Sequence, residues 1–312
     1  MVIRTAYRTL RRVLPVPLAR RLQAGARRAA PLLARLGVID RAGVAAGAAA
    51  ASADMLVAPS NGKHPYELVD RDTLLSLRQY VGNFPDQLLQ VSAARQVIAR
   101  ERAKVLLNRS GVKRVAADGA HVAHNTVDYN IDGARTAADL DRPAIMTNVV
   151  MGIEWIRQNV KSLDVLSIGP RSEIEIFALM GAGFSPERIR AVDLFSYSPY
   201  VDVGDMHALP YEASAFDIVF LGWVLSYSKD QSVVARELLR VCRDGALIVL
   251  AGDYSDDSRV GATFKKEATH MQSCDQLLAL FPGHVGRVYF RHDPEPERNV
   301  WMVMTVFEVR KT

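Results

Sequence analysis

A doubly wound, mostly parallel α/β sheet closed by an antiparallel hairpin is the fold this sequence predicts, with a helical extension ahead of it. Three observations predict it. After Arg142, short apolar and β-branched runs alternate with stretches of helical periodicity. Those runs are mostly apolar, as buried strands are. Two long strands then end the chain, separated by a Pro-containing turn far too short for a parallel crossover.

Taken in order, the chain opens with a basic arm over residues 1–60. Val2, Ile3, Ala6, Tyr7, Leu10, Val13 and Leu14 recur at three- and four-residue spacing, with Arg4, Arg8, Arg11 and Arg12 on the opposite face. That pattern predicts a basic amphipathic helix stopped near Pro15, and a second basic helix follows from Leu18 to about Leu36. Residues 61–143 form a mostly helical segment, clearest between Pro85 and Leu107 with a stop near Gly111. From 144 to 312 the elements are a helix over Ala144–Asn159, strand Asp164–Gly169, a helix to Met180 and strand Ile189–Asp193. Strand Phe216–Gly222, helix Gln231–Arg243 and strand Ala246–Gly252 come next, and then the hairpin strands Val285–Asp293 and Val300–Lys311.

Composition narrows the classes. An apolar fraction of 49% with 23% charged residues excludes global disorder over the 312 residues. The Ala/Gly run at Ala45–Ala53 is too short and too weakly apolar to span a bilayer. With the Arg-rich residues before it, that run loosely mimics an export signal, but its apolar region is too feeble for one, so the cytoplasm is expected. Cys242 and Cys274 are too few for a disulfide framework and lack metal-ligand spacing, which fits a reducing compartment. His121 and His124, three apart in GAHVAHN, lack a third ligand or an HExxH glutamate, so a loop pair is expected there and no metal site. Charge is uneven: ten arginines against Asp40 make residues 1–50 +9, leaving −4 on the remainder. Such an arm suits an anionic membrane surface, with a solvated arginine face as the plainer alternative.

In a parallel sheet of this kind ligands bind at the carboxyl ends of the strands. Gly169 follows the first strand, where a glycine admits close backbone approach and the next helix N-terminus favours an anion. Asp193 ends the second strand, 24 residues beyond Gly169, where a carboxylate can accept from two ribose hydroxyls. Leu194 and Phe195 then offer apolar surface to an adenine ring. In GDMHALP (Gly204–Pro210), Asp205 can accept from an adenine amino group while the Met206 backbone supports the ring edge. Each has an ordinary structural explanation as well: a turn glycine, a strand-end acid and a helix cap or polar loop.

Their order, with GDMHALPY, FDIVFLGWVLSYSKD and RELLRVCRDGALIVLAGD, resembles the class I S-adenosylmethionine-dependent methyltransferases over about residues 144–312. The branch it resembles is typified by the ubiquinone/menaquinone C-methyltransferases and many small-molecule and sugar O-methyltransferases. The resemblance implies a seven-stranded Rossmann-like sheet and S-adenosyl-L-methionine as cofactor. It also implies Gly169 in the glycine loop, Asp193 on the ribose, Asp205 and Met206 framing the adenine, and Gly222–Trp223 at the methyl-transfer mouth. The family loop Asp/Glu-x-Gly-x-Gly-x-Gly is replaced by Ser167-Ile168-Gly169-Pro170-Arg171-Ser172-Glu173, without the acid or the later glycines. Arg171 is expected to clamp the methionine carboxylate in their place. His270, Asp253 and Tyr227 are the candidate catalytic bases.

The expected activity is methylation, favouring oxygen, of a small-molecule or cell-surface sugar or glycan acceptor by a cytoplasmic enzyme. Residues 1–41 would hold it at the inner face of a membrane. The alternative is a non-catalytic methyltransferase-like module tethered by the arm. A nucleic-acid substrate is disfavoured, because LGWV stands where an [Asn/Asp]-Pro-Pro-aromatic motif would follow the fourth strand.

Overall fold

The computed structural model describes residues 66, 68–70, 72–74, 88–115, 130–131, 142–254, 271–298 and 300–311. All lie in one compact unit, Pro59–Thr312. The expectations for the arm, for His121, His124 and His270, and for most of residues 61–143 lie outside the described residues.

Seven strands form the central sheet: β2 (Val165–Ile168), β3 (Ile189–Asp193), β5 (Asp202–Val203), β6 (Phe216–Gly222), β7 (Cys242–Asp253), β8 (Val285–His292) and β9 (Met302–Val309). Their order is β5-β3-β2-β6-β7-β9-β8. The first five run parallel, whereas β9 pairs antiparallel with both β7 and β8. This is the predicted sheet, closing hairpin included. A separate two-stranded ladder joins β1 (Lys113–Arg114) to β4 (Phe195–Ser196), antiparallel.

Burial explains why the strands read as mostly apolar runs. Leu166, Ile168, Val219, Leu221, Ile248 and Leu250 enter one core, together with Val234 and Leu238 of the helix Gln231–Val241. Their alternating neighbours Val165, Ile218, Phe220, Leu247 and Val249 enter the other, with Met146, Ile156 and Ile176 from the helices across it. Strands with apolar residues on both faces must be covered twice, which is the doubly wound architecture.

The helices are α1 (Ser92–Ser110), α2 (Arg142–Met151), α3 (Glu154–Asn159), α4 (Glu173–Gly181), α5 (Gln231–Val241) and α6 (Cys274–Leu278). Three differ from the sequence expectation. The span read as one helix over Ala144–Asn159 is two, α2 and α3, because the chain breaks at Gly152 and Ile153 takes an extended conformation. The helix expected between Pro85 and Leu107 starts at Ser92, after a 3₁₀ turn at Leu88–Gln90, and stops at Gly111 as expected. Finally, α5 ends at Val241 rather than Arg243, and β7 begins at Cys242, four residues before the expected Ala246. There the Arg243 guanidinium reaches Asp217 (2.6 Å) and Asp164 (3.0 Å), drawing the backbone out of the helix.

The helix α1, from the segment ahead of the sheet, is joined to α4 by a buried ion pair. Arg102 donates through Nε to Glu173 Oε2 (2.6 Å) and through Nη2 to Oε1 (3.0 Å), with both side chains 0% exposed. The Ser198 hydroxyl donates to the same carboxylate at 2.6 Å, and the guanidinium lies over the Phe177 and Tyr200 rings. Glu173 is the first residue of α4, so its charge also faces the positive end of the helix dipole.

Candidate functional site

Five residues expected to bind the cofactor come together. Gly169, Asp193, Leu194, Asp205 and Met206 line one cleft at the carboxyl ends of β2 and β3, facing Val224, Tyr227 and Asn130. The crossing of β2 with its parallel neighbours β3 and β6 makes this crevice, since the connections leave it in opposite directions.

Asp193 ends β3, where its backbone carbonyl accepts from Gly204 N–H at 2.9 Å. Desolvation raises its carboxyl from 3.8 to about 7, against the lowering effect of the Phe195 and Leu194 backbone N–H groups. The negative charge of Glu175 raises it further, and Arg171 lowers it. Arg171 therefore sits close enough to act as a counter-charge, but it lines an adjacent cleft with Phe195–Ser198 and not the one holding Gly169 and Asp193.

The glycine at 169 is demanded by its surroundings. Its φ is +72°, and a Cβ there would overlap the Val224 side chain. On β2, just before Ile168 and Gly169, the Ser167 hydroxyl donates to the Glu175 carboxylate of α4. Sequence reasoning missed Glu175 because nothing in spacing shows that a helix side chain will fold back onto the strand. Asn130 was missed for a similar reason, since tertiary packing alone carries it to the cleft.

Phe195 corrects the expectation of an adenine surface. It is buried with Ala103, Leu106, Ile131 and Tyr197, because the β1–β4 ladder draws it under α1. Leu194 remains at the cleft, its carbonyl accepting from Val115 N–H at 2.8 Å.

The GDMHALPY loop is fixed by α5. Glu237 accepts the Leu209 N–H at 2.8 Å, while Arg240 donates to the carbonyls of Leu209 (2.9 Å) and Tyr211 (2.7 Å) and pairs with Glu237. The RELLR segment thus holds the loop that presents Asp205. Within the loop, Asp205 Oδ1 accepts from His207 N–H at 2.9 Å and meets His207 Nδ1 at 2.6 Å.

Gly222 ends β6 on the strand beside Gly169, one position beyond the Ile168–Leu221 pairing, and a Cβ there would meet the end of the Met146 side chain of α2. Trp223 follows with φ 60°, a left-handed backbone unusual for an aromatic residue. Its N–H donates to Ala251 O at 2.7 Å and its indole N–H to Asp253 Oδ1 at 3.0 Å. Asp253 is exposed at the end of β7, and next to it Tyr254 stacks on Trp301 at 5.9 Å. Of the three candidate bases, Tyr227 lines the cofactor cleft and Asp253 ends β7, while His270 lies outside the described residues. Among the described residues, no group of three His, Cys, Asp or Glu could hold a metal ion. Nor is any described helix long and apolar enough to cross a membrane. Both cysteines are free and buried, and burial pushes the Cys242 thiol up to about 12.

A separate cavity of about 870 Å³ is lined by residues of α2, α3 and the edge strand β8 and includes none of these strand-end residues.

Residues 176–250 match the family model described as a methyltransferase domain. No curated protein matches the chain. Among solved structures, the chain is similar to Burkholderia thailandensis 1,6-didemethyltoxoflavin-N1-methyltransferase, at 15% identity over 64% of this chain and 95% of that one, with a TM-score of 0.46. An S-adenosylmethionine-dependent methyltransferase from Aquifex aeolicus is similar at 14% identity over 54% of this chain and 98% of that one, TM-score 0.36. The matched span, about a quarter of the chain, covers β3, β5, β6 and most of β7, and the seven-stranded sheet around it has the strand order typical of the methyltransferase fold.

Proposed function

We propose that this enzyme methylates a hydroxyl of a small-molecule or cell-surface sugar or glycan, with the cofactor held in the cleft between Gly169, Asp193 and Asp205. The observation that carries the cofactor assignment is the convergence of two carboxylates and an apolar wall, Leu194 and Met206, at the ends of adjacent strands. That set suits an adenosine: Asp193 accepts from the ribose hydroxyls, and Asp205 accepts from the adenine amino group. S-adenosylmethionine supplies a methyl group on a sulfonium, already a strong electrophile, so positioning supplies much of the rate. Methyl transfer to oxygen forms the O–CH₃ bond, breaks the S–CH₃ bond and releases the hydroxyl proton. Asp253, exposed at the end of β7, or Tyr227, at the cleft, is the group we assign to receive that proton.

The acceptor reading rests on the aromatic and acidic residues at the carboxyl end of the sheet. Trp223, Tyr254 and Trp301 offer flat apolar faces, and Asp253 offers a hydrogen-bond acceptor, a combination suited to a sugar ring. On the GDMHALP-to-FDIV combination we place the enzyme in the branch of ubiquinone/menaquinone-type methyltransferases. The arm would bring it to the cytoplasmic face of a membrane where such acceptors are made.

A second reading, a non-catalytic module, draws on the narrowness of the cleft, about 40 Å³ where ligand pockets usually enclose about 300–1,000 Å³. Calorimetric titration with S-adenosylmethionine separates the two. The enzyme binds, and Asp193→Ala costs about 2–3 kcal/mol of affinity. Absence of binding by the wild type, or unchanged affinity in a folded Asp193→Ala protein, overturns the cofactor assignment.

A further inference from the structure

We infer that His207 is a positioning residue that aims the Asp205 carboxylate at the adenine amino group, with Ser228 holding the far side of its ring. The inference rests on the adenosine reading of the cleft. His207 bridges Asp205, which lines that cleft beside Met206, and Ser228, the neighbour in sequence of the cleft residue Tyr227. Its Nδ1 is 2.6 Å from Asp205 Oδ1, and its Nε2 is 2.7 Å from Ser228 Oγ. The ring is nearly enclosed, at 6% exposure, while the Asp205 side chain keeps 26%.

The donors and acceptors along this chain assign one another. An ionised carboxylate only accepts, so Nδ1 carries the proton. In the neutral ring Nε2 then accepts, and the Ser228 hydroxyl donates to it. The Ser228 oxygen in turn accepts the Asp230 N–H at 3.1 Å, which anchors it to the start of α5. Two donors from one residue, the His207 backbone N–H and ring Nδ1–H, therefore converge on Oδ1. They fix the plane of the carboxylate and leave Oδ2 as the oxygen to meet a ligand. An amino group satisfies that oxygen, whereas a carbonyl at the same ring position opposes it.

The test compares S-adenosyl-L-homocysteine with S-inosyl-L-homocysteine, which carries a carbonyl in place of the amino group. Calorimetry on the full chain measures both for the wild type and for His207→Leu, His207→Asn and Ser228→Ala. The wild type prefers the adenosyl ligand. His207→Leu lowers adenosyl affinity about tenfold and changes inosyl affinity far less, so the preference collapses. His207→Asn keeps an N–H toward Asp205 and restores most of the preference, while Ser228→Ala reduces it about threefold by freeing the ring. If His207 only supports the loop, both ligands weaken in parallel and the ratio stays at its wild-type value, which overturns the inference. A wild type that binds both ligands equally also overturns it, with the cofactor assignment left standing. A wild type that binds neither overturns the cofactor assignment and this inference together.

Discussion

At Asp193 the loss of water around a carboxyl group sets two pH dependences of opposite sign. The group rises from 3.8 to about 7 on folding, so between those values the folded protein holds a proton that the unfolded chain has released. Its contribution to stability is greatest at the acid end of that window and declines as pH rises to about 7. Asp193→Asn should remove the decline and raise stability by about 2–4 kcal/mol at pH 8, read by urea denaturation at pH 5 and pH 8. Cofactor affinity should run the other way, because ribose hydroxyls donate to the ionised form. Calorimetry from pH 5.5 to 8.5 should show the dissociation constant weakening by about tenfold per pH unit below the carboxyl's value, and a flat profile would show that the cofactor does not select the ionised carboxylate. Asp193 was legible from its place at a strand end, and Asp205 from the motif around it. The partners that tune them were not. Glu175 reaches Ser167 from a neighbouring helix, and Arg171 acts on Asp193 as a charge from beside the cleft.

Among the elements, the strands were read closely because a buried strand must be apolar on both faces: Ile189–Asp193 and Phe216–Gly222 match their expected limits to the residue. Helix limits were less legible, since local interactions compete there. Gly152 splits one apolar stretch into α2 and α3, and the acids Asp164 and Asp217 draw Arg243 into an extended conformation. No pattern in the sequence announces the joint between α1 and α4, because Arg102 and Glu173 are 71 residues apart. Arg102→Leu should leave the Glu173 carboxylate buried without its counter-charge and cost about 3–5 kcal/mol. Replacing both residues, as Arg102→Leu with Glu173→Leu, should cost less than the single change. Thermal and urea unfolding of the two variants measure the difference, and equal losses would mean that packing, not charge pairing, makes the joint.

At the scale of the whole molecule, +9 on residues 1–50 against −4 on the remainder concentrates positive charge at one end of the sequence. Arginines at an anionic bilayer contribute up to about 1 kcal/mol each, so the full chain should sediment with phosphatidylglycerol vesicles and release as salt rises. Deleting residues 1–50 should abolish sedimentation and leave cofactor affinity unchanged, because every residue of the cleft lies after Lys113. A deletion that still binds vesicles, or loses the cofactor, would assign the arm to the body. The joint between α1 and α4 bears on the descent of the protein as well. The span that matches the methyltransferase-domain model starts at residue 176, yet the cation that neutralises the first residue of α4 lies far ahead of it, on α1. A recombination event that moved the catalytic half alone into a new gene would deliver a carboxylate stranded in the interior. A fragment that keeps α1 should therefore fold more stably than one that begins after it.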